Sequence, residues 1–136
     1  MTNQTEDYSQ EYFEQYKKST IINRKFIHLI DRREPVFSYL KRKKNSNSKL
    51  LDAGCGNGNF LKHASKYFAS TGFDVSEEAI KMAKKEIRNA DLSVSNIYDF
   101  KAYKEKFDVV TCFDVLEHII DPRNALAALK VFMKAD

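Results

Sequence analysis

The segment Lys49–Phe60, KLLDAGCGNGNF, decides the fold. Two leucines lead into Asp52, and glycines then stand at positions 54, 56 and 58, before apolar residues begin to recur at helical spacing. This order predicts a buried strand, a tight loop and the start of a helix. Glycines let a loop adopt backbone angles closed to other residues and bring the main chain close to a ligand. We therefore expect a ligand-binding loop, with N–H groups of the next helix directed at the ligand.

The residues around the glycines narrow the choice of ligand. The dinucleotide-binding fingerprint needs a glycine where Asn59 stands, and the phosphate-binding loop needs Gly-Lys-Ser or Gly-Lys-Thr, which is absent. The carboxylate of Asp52 would repel phosphate groups at short range and attract an ammonium group. S-adenosylmethionine carries such an ammonium group, so it fits this loop better than a pyrophosphate does.

Residues 52–58, Asp-Ala-Gly-Cys-Gly-Asn-Gly, resemble the first motif of the class I S-adenosylmethionine-dependent methyltransferases. Three later segments follow in the order and spacing of that family, so the resemblance covers residues 49–133. It implies an α/β, Rossmann-like fold with a parallel sheet of strand order 3-2-1-4, flanked by helices and lacking the family's C-terminal strands. It also implies a methyltransferase with S-adenosylmethionine as cofactor and, as the first expectation, a small-molecule acceptor.

The resemblance and the residue pattern together divide the chain into two parts. We expect residues 48–136 to form the incomplete S-adenosylmethionine-binding domain and residues 1–47 to form a helical extension or lid. Aromatic and aliphatic stripes predict three helices in the extension, the third opened by Pro35 with Val36, Phe37 and Leu40 facing inward. The stripes are expected mainly to cover the sheet, and those of the first helix are also candidates for a lid over the cofactor: Tyr8, Tyr12 and Tyr16.

The resemblance also implies a set of cofactor-binding residues. They are Asp52, Gly54, Cys55, Gly56, Gly58, Asp74, Val75, Asn96, Ile97 and Phe113. Asp74 ends the second predicted strand, 20 residues beyond Gly54, where a carboxylate can accept hydrogen bonds from both ribose hydroxyls. The alternative is a turn residue ahead of the helix that Ser76 can cap. In the family, the residue at the position of Val75 packs on the adenine.

The third predicted strand, within Leu92–Phe100, should bury Leu92 and Val94. Its exit places Asn96 where the family most often has an aspartate that reads the adenine amine, with Ile97 beside the ring. Asparagine is a departure from that pattern, although its amide oxygen can still accept from the amine. Asp99 is a possible substitute, and a solvated loop position is the simpler interpretation of it.

The fourth segment, Phe107–Pro122, predicts a strand followed by a ligand-facing loop. The strand should be buried on both faces through Phe107, Val109, Val110 and Cys112. Pro122 should start a helix with its apolar residues inward: Ala125, Leu126, Leu129, Phe132 and Met133.

Within that loop, Leu116-Glu117-His118 resembles the family's segment beside the transferred methyl group. His118 is the candidate catalytic base, because imidazole titrates near neutrality, and a role in orienting the substrate is equally open. Some family members bind a divalent metal with Glu-x-x-Glu-His at this place. Here Asp114 replaces the first glutamate and has a shorter reach, so we expect no metal at Asp114, Glu117 and His118.

Charge and cysteine content limit the partners and the compartment that we expect for this chain. The 136-residue chain has a net charge of +4, with 11 Lys and Arg against 6 Asp and Glu in residues 1–49 and 12 against 13 in residues 50–136. The run Lys41–Lys44 could attract an anionic partner, but a solvated helix end is favoured, and no nucleic acid is expected. Two cysteines without C-x-x-C spacing, no signal peptide and no long apolar run predict a cytoplasmic protein without a membrane segment.

The sheet edge formed by the fourth strand raises the question of what covers it. Members of the family usually continue into further strands, whereas this sequence ends at Asp136. A long apolar edge would need a partner, a second copy or a further segment, so a homodimer through this edge is one expectation. The leading functional alternative is a catalytically incomplete S-adenosylmethionine-binding or interaction module. A nucleotide-dependent oxidoreductase is disfavoured by Asn59.

Overall fold

The computed structural model describes residues 33–101 and 106–135. They form α1 (Arg33–Lys43), β1 (Lys49–Ala53), α2 (Leu61–Ala64), β2 (Ala69–Asp74), α3 (Glu77–Glu86), β3 (Ala90–Val94), β4 (Val109–Thr111), a 3-10 helix (Leu116–His118) and α4 (Pro122–Lys130). The lid candidates Tyr8, Tyr12 and Tyr16 lie outside the described residues, as do the first two helices predicted for the extension.

The four strands form one parallel sheet in the order β3-β2-β1-β4, which confirms the predicted topology. β1 is an inner strand, and Asp52 near its carboxyl end is level with Gly72 of β2 and Thr111 of β4. Parallel neighbours require crossover connections, and helices supply most of them here. The carboxyl ends of β1, β2 and β4 are therefore brought to one side of the domain.

Two apolar clusters cover the two faces of this sheet. Leu50 belongs to the first cluster and Leu51 to the second, because successive side chains of a strand point to opposite faces. The first cluster contains buried residues of α1, α2 and α3, and the second contains Ala125 and Leu129 of α4. The run of adjacent leucines is thus explained by a strand buried on both sides.

The predicted starts of α3 and α4 are confirmed, whereas α1 already includes Arg33 and Glu34 ahead of Pro35, its predicted first residue. Ser76 accepts a hydrogen bond from the Ala79 N–H at 3.1 Å and caps α3, and Asp121 caps α4 ahead of Pro122. In α1, Leu40 is buried in the first cluster, with Val36 and Phe37 packed against it. Part of the extension is therefore integrated into the core. The basic run at the end of α1 is exposed, as expected for a solvated helix end.

Three burial predictions are wrong. Val94 is 51% exposed, because it is the last residue of the edge strand β3, and only Leu92 on the same face reaches the first cluster. Leu126 and Met133 are also exposed. The inward line of α4 runs through Ala125 and Leu129, four residues apart, so Leu126 falls on its flank. Met133 lies beyond the end of the helix.

The expectation of a long unpaired edge along the fourth strand is also wrong. β4 has only three residues. At Phe107, before β4, the chain that follows α4 already runs alongside in parallel. The Phe107 N–H donates to the Phe132 carbonyl at 2.8 Å, and the Lys134 N–H donates to the Phe107 carbonyl at 3.0 Å. Residues that follow α4 thus cover the start of this edge.

No helix within residues 33–101 and 106–135 is long and apolar enough to cross a membrane.

Candidate functional site

The glycine loop after β1 uses its own N–H groups within the protein. The N–H groups of Gly54 and Cys55 both donate to the Phe73 carbonyl, at 2.8 and 2.9 Å. The Gly56 N–H donates to a carboxylate oxygen of Asp74 at 2.8 Å, and the Gly58 N–H donates to the Cys55 carbonyl at 3.0 Å. These four donors are therefore not offered to a phosphate, unlike the N–H groups of phosphate-binding loops.

The helix that follows the loop is much shorter than predicted. α2 spans only Leu61–Ala64, and Phe60 before it provides no side-chain cap. So short a helix has little dipole to direct at a ligand. The structure therefore does not support the expectation that the N–H groups of this helix face the ligand.

The three glycines of the loop are needed for different structural reasons. All three have positive φ angles. A Cβ on Gly58 would lie 2.4 Å from Cδ1 of Ile87, and one on Gly54 would lie 2.3 Å from Cγ2 of Val115, so packing excludes side chains at both. A Cβ on Gly56 would meet no protein atom within 4 Å. Gly56 therefore borders open space at the carboxyl ends of the strands, where sheets of this kind bind ligands.

Asp74 connects the glycine loop with the turn after β2. One carboxylate oxygen accepts from the Gly56 N–H, and the other accepts from the Ser76 N–H at 2.9 Å. The turn role considered from sequence is therefore real. It does not use up the carboxylate, because each oxygen keeps a second lone pair for a ligand hydroxyl. Val75, the next residue, is 46% exposed and can offer an apolar surface to a flat ring.

Asp52 is a buried carboxylate near the carboxyl end of the inner strand β1. Its side chain is 2% exposed and accepts a hydrogen bond from the Thr111 hydroxyl at 2.7 Å. Burial raises the pKa of Asp52 to about 7, opposed by the Thr111 hydrogen bond and the positive charge of Arg33 and reinforced by the negative charge of Asp74. Near neutral pH Asp52 is therefore partly protonated and partly ionised, and a cation placed next to it would favour the ionised form.

The two cysteines near the site have raised thiol pKa values, which disfavour a nucleophilic role. Cys55 is buried, and its Sγ lies 3.0 Å from the place a Cβ on Gly72 would take, so its side chain points into the core below the loop. Only its main chain lines the loop. Burial raises the pKa of the Cys55 thiol well above its usual range and that of Cys112 to about 11. Both are free thiols and stay protonated at neutral pH.

Asn96 organises the turn after β3. Its amide oxygen accepts from the N–H groups of Tyr98 and Asp99 at 2.8 and 2.9 Å, and its amide nitrogen donates to the Asp99 carboxylate at 2.5 Å. Both lone pairs of that oxygen are thus engaged. The predicted contact with an adenine amine stays a prediction, and it would have to compete with this turn. Ile97, the other predicted contact here, is buried in the second cluster.

Arg33 lies beside predicted site residues, and the sequence did not single it out. Its guanidinium forms an ion pair with Asp114 at 3.0 Å and lies 5.7 Å from the ring centre of Phe113. Phe113 in turn packs on Phe60 of the glycine loop, with ring centres 4.9 Å apart. The start of α1 is thereby attached to the segment after β4. No local signal could reveal a pair of residues 81 positions apart.

The predicted catalytic segment forms the short 3-10 helix after β4. Glu117 and His118 are exposed there, and Asp114 has a positive φ of 54° and is paired with Arg33. Among the described residues, no three His, Cys, Asp or Glu side chains are placed to hold a metal ion. A guanidinium on Asp114 would also repel a divalent cation. The base role of His118 stays a prediction.

A parallel sheet of order 3-2-1-4, with a glycine loop after β1 and an acid after β2, defines a Rossmann-like domain of the methyltransferase type. A family model described as "Methyltransferase domain" matches residues 20–136. The chain belongs to the class I S-adenosylmethionine-dependent methyltransferase family.

Curated relatives include ubiquinone biosynthesis O-methyltransferases. That of Actinobacillus pleuropneumoniae serotype 7 is 33% identical over 123 residues, covering 81% of this chain and 51% of the relative. That of Thiobacillus denitrificans is 35% identical over 96 residues, covering 65% and 41%. The chain thus spans about half the length of these relatives.

Solved structures support the same fold. Magnesium protoporphyrin IX methyltransferase (ChlM) from Synechocystis PCC 6803, with bound SAH, has a TM-score of 0.80 at 17% identity, covering 93% of this chain and 65% of that one. The plantazolicin methyltransferase BpumL, in complex with a monoazolic desmethylPZN analog and SAH, has a TM-score of 0.70 at 25% identity, covering 92% of this chain and 52% of that one.

Proposed function

We propose that the protein transfers a methyl group from S-adenosylmethionine to a hydroxyl oxygen of a small molecule. One observation carries the choice of cofactor. The site contains two carboxylates, the partly exposed Asp74 and the buried Asp52, while four N–H groups of its glycine loop donate to protein acceptors. S-adenosylmethionine brings an ammonium group and two ribose hydroxyls, which are all donors, and no phosphate. A donor-rich ligand is the chemical complement of an acceptor-rich site.

The described residues can be given roles on this proposal. Asp74 would accept from the ribose hydroxyls, Val75 would cover the adenine, and Asp52 would balance the ammonium group. Gly56 would let the main chain approach the cofactor, because a side chain there would enter the open space. The guanidinium of Arg33 brings the positive charge that the cofactor's carboxylate needs, and its charge already acts on Asp52.

The chemistry asks the protein mainly for positioning. Methyl transfer from a sulfonium is an in-line displacement with a good leaving group, and correct placement of donor and acceptor is worth roughly 7 to 11 kcal/mol. A hydroxyl acceptor must also lose its proton. His118 follows β4 on the same side of the sheet and is the proposed base, with orientation of the substrate as its other possible role.

The choice of an oxygen acceptor rests on the relatives named ubiquinone biosynthesis O-methyltransferases. The first experiment is calorimetric titration of the folded chain with S-adenosylmethionine, S-adenosylhomocysteine and NAD. Binding of the first two alone supports the proposed cofactor, and preference for NAD refutes it. Transfer of labelled methyl from S-adenosylmethionine to a panel of dihydric phenols then tests the acceptor. Cofactor binding with no transfer to any acceptor would favour a binding or interaction module.

Two further expectations remain proposals. A cytoplasmic location is supported by the two free thiols, since disulfides are rare in that compartment. A homodimer through the β4 edge has less support from the structure than from the sequence, because residues after α4 already pair with Phe107. Light scattering of the purified chain measures its mass in solution. A monomer at micromolar concentration would refute the dimer.

A further inference from the structure

Thr111 has a place in the site that the function proposed above does not use. It stands on β4 directly beside Asp52 of β1, in the register of the parallel pair. Its hydroxyl lies 2.7 Å from a carboxylate oxygen of Asp52 and 3.3 Å from the Leu51 carbonyl oxygen. Thr111 is 7% exposed, and Asp52 is 2% exposed, so water has little access to the pair.

These contacts fit both protonation states of Asp52. A hydroxyl has one proton and two lone pairs. When Asp52 is ionised, the Thr111 hydroxyl donates to the carboxylate, which matches the shorter of its two distances. When Asp52 is protonated, the acid can donate to the Thr111 oxygen, and the Thr111 proton turns to the Leu51 carbonyl. In each state the buried polar atoms keep a partner, which avoids the cost of an unsatisfied group.

We propose that Thr111 is a positioning residue for the cofactor site, whose hydroxyl reverses its hydrogen bond and lets buried Asp52 release a proton when the cofactor's ammonium group arrives. This inference rests on the function proposed above. The proton leaves Asp52 for the solvent, the ammonium group keeps all of its protons, and no covalent bond of the cofactor changes. The negative charge then faces the ammonium group in a buried setting, where the attraction is strong.

The charged and titratable groups around Asp52 are consistent with such a change. Arg33 from α1 favours the ionised form, Asp74 at the end of β2 opposes it, and the Thr111 hydrogen bond favours it. The thiols of Cys55 and Cys112 both sense the charge of Asp52 and are themselves protonated at neutral pH. Among Asp52 and these two thiols, Asp52 is therefore the group whose charge changes near pH 7.

The expected consequence is a cofactor affinity that depends on pH. Because binding favours the ionised form, the affinity should rise about tenfold per pH unit below pH 7 and level off above it. At pH 7 the protein should release about 0.5 proton per bound ligand, and about 0.1 proton at pH 8, where the ligand still carries its ammonium group. Without the Thr111 hydroxyl, the ionised form loses its donor, so the level region should begin at a higher pH.

The test is calorimetric titration of the full chain with S-adenosylhomocysteine from pH 5.5 to 8.5, at each pH in two buffers that hold that pH. The two buffers differ in ionisation enthalpy, so the difference in heat counts released protons. The variants are Thr111→Val, which keeps the shape and removes the hydroxyl, and Thr111→Ser, which restores it. A shift to higher pH in Thr111→Val with return to the wild-type profile in Thr111→Ser supports the proposal, because simple loss of packing would not be repaired in this way.

Two outcomes overturn the proposal, and they differ in meaning. Binding without pH dependence or proton release in the wild type, or identical profiles in the wild type and Thr111→Val, refutes the role of Thr111 and leaves the cofactor assignment intact. No binding at any pH by a folded chain refutes both. If Thr111→Val does not fold, carbon-13 NMR of the Asp52 carboxyl in the wild type decides. A titration near pH 7 that disappears with the ligand supports the proposal, and one that is unchanged refutes it.

Discussion

Alanine at Gly56 should mainly weaken cofactor binding, and alanine at Gly58 should mainly lower the free energy of unfolding. Both glycines have positive φ angles, 54° and 84°, which cost an L-residue about 1 to 2 kcal/mol. At Gly56 that is the whole cost, because the new Cβ would touch no protein atom. At Gly58 the Cβ would lie 2.4 Å from Ile87 Cδ1 and 3.2 Å from Ala83 Cβ, and overpacking of this kind adds about 1 to 3 kcal/mol.

The magnitudes separate the two variants. We expect Gly58→Ala to lose about 2 to 5 kcal/mol of unfolding free energy and Gly56→Ala about 1 to 2 kcal/mol. The affinity for S-adenosylhomocysteine should behave in the opposite way. The methyl group in Gly56→Ala occupies the space proposed for the cofactor, so its affinity should fall at least tenfold, about 1.4 kcal/mol.

The assays are urea unfolding and calorimetric titration with S-adenosylhomocysteine, both at a temperature where each variant is folded. Gly58→Ala is the matched control, since it carries the same methyl group in the same loop with its Cβ in the core. Wild-type affinity in Gly56→Ala would refute the placement of the cofactor at this loop. A larger loss of stability in Gly56→Ala than in Gly58→Ala would refute the packing argument.

Three more variants test the remaining roles. Asp74→Ala should weaken S-adenosylhomocysteine binding by a few kcal/mol, since it removes a charged acceptor and frees the loop, whereas the exposed control Asp91→Ala should bind normally; equal affinities would remove Asp74 from the site. His118→Ala should keep cofactor affinity and lose methyl transfer, so lost affinity would make His118 structural. The pKa of Asp52 is raised from 3.8 to about 7, so between these values the native state holds a proton that the unfolded state has lost. The free energy of unfolding therefore falls as the pH rises from about 4 to about 7. The gain in unfolding free energy from Asp52→Asn should therefore grow by about 3 kcal/mol from pH 5 to pH 8, and a constant gain would contradict the buried charge.

The sequence predicted those features that depend on neighbours along the chain. Leu50 and Leu51 lie next to each other and predict a strand with two buried faces, and the loop glycines follow directly. Ser76 stands three residues before the Ala79 N–H that it caps. Each of these signals is local, so the first strand, the loop and the helix cap could be placed from the residues alone, whereas the strand order followed from the resemblance to the family.

Features that depend on tertiary geometry escaped the sequence. The pair of Arg33 and Asp114 joins residues that only the folded sheet brings together. Asn96 matched a family position by alignment, but whether its amide oxygen faces a ligand or its own turn depends on the loop conformation. Val94 continued an alternating pattern that predicts burial, and it is exposed because the strand is at the sheet edge. In all three, the sequence gives the residue type and the fold decides its surroundings.

The choice between a phosphate ligand and a sulfonium ligand follows from how the loop uses its donors. A glycine-rich loop after a strand is compatible with either, because glycines supply only conformational freedom. Here the Phe73 carbonyl accepts hydrogen bonds from two N–H groups and Asp74 accepts from a third, so residues of β2 occupy three donors that a phosphate would need. The same carboxylate keeps lone pairs for ribose hydroxyls. Asp74 therefore occupies an N–H group that an anion would need, and it offers oxygen atoms to a ligand rich in donors. For the choice of ligand, the acid at the end of β2 thus matters more than the number of glycines.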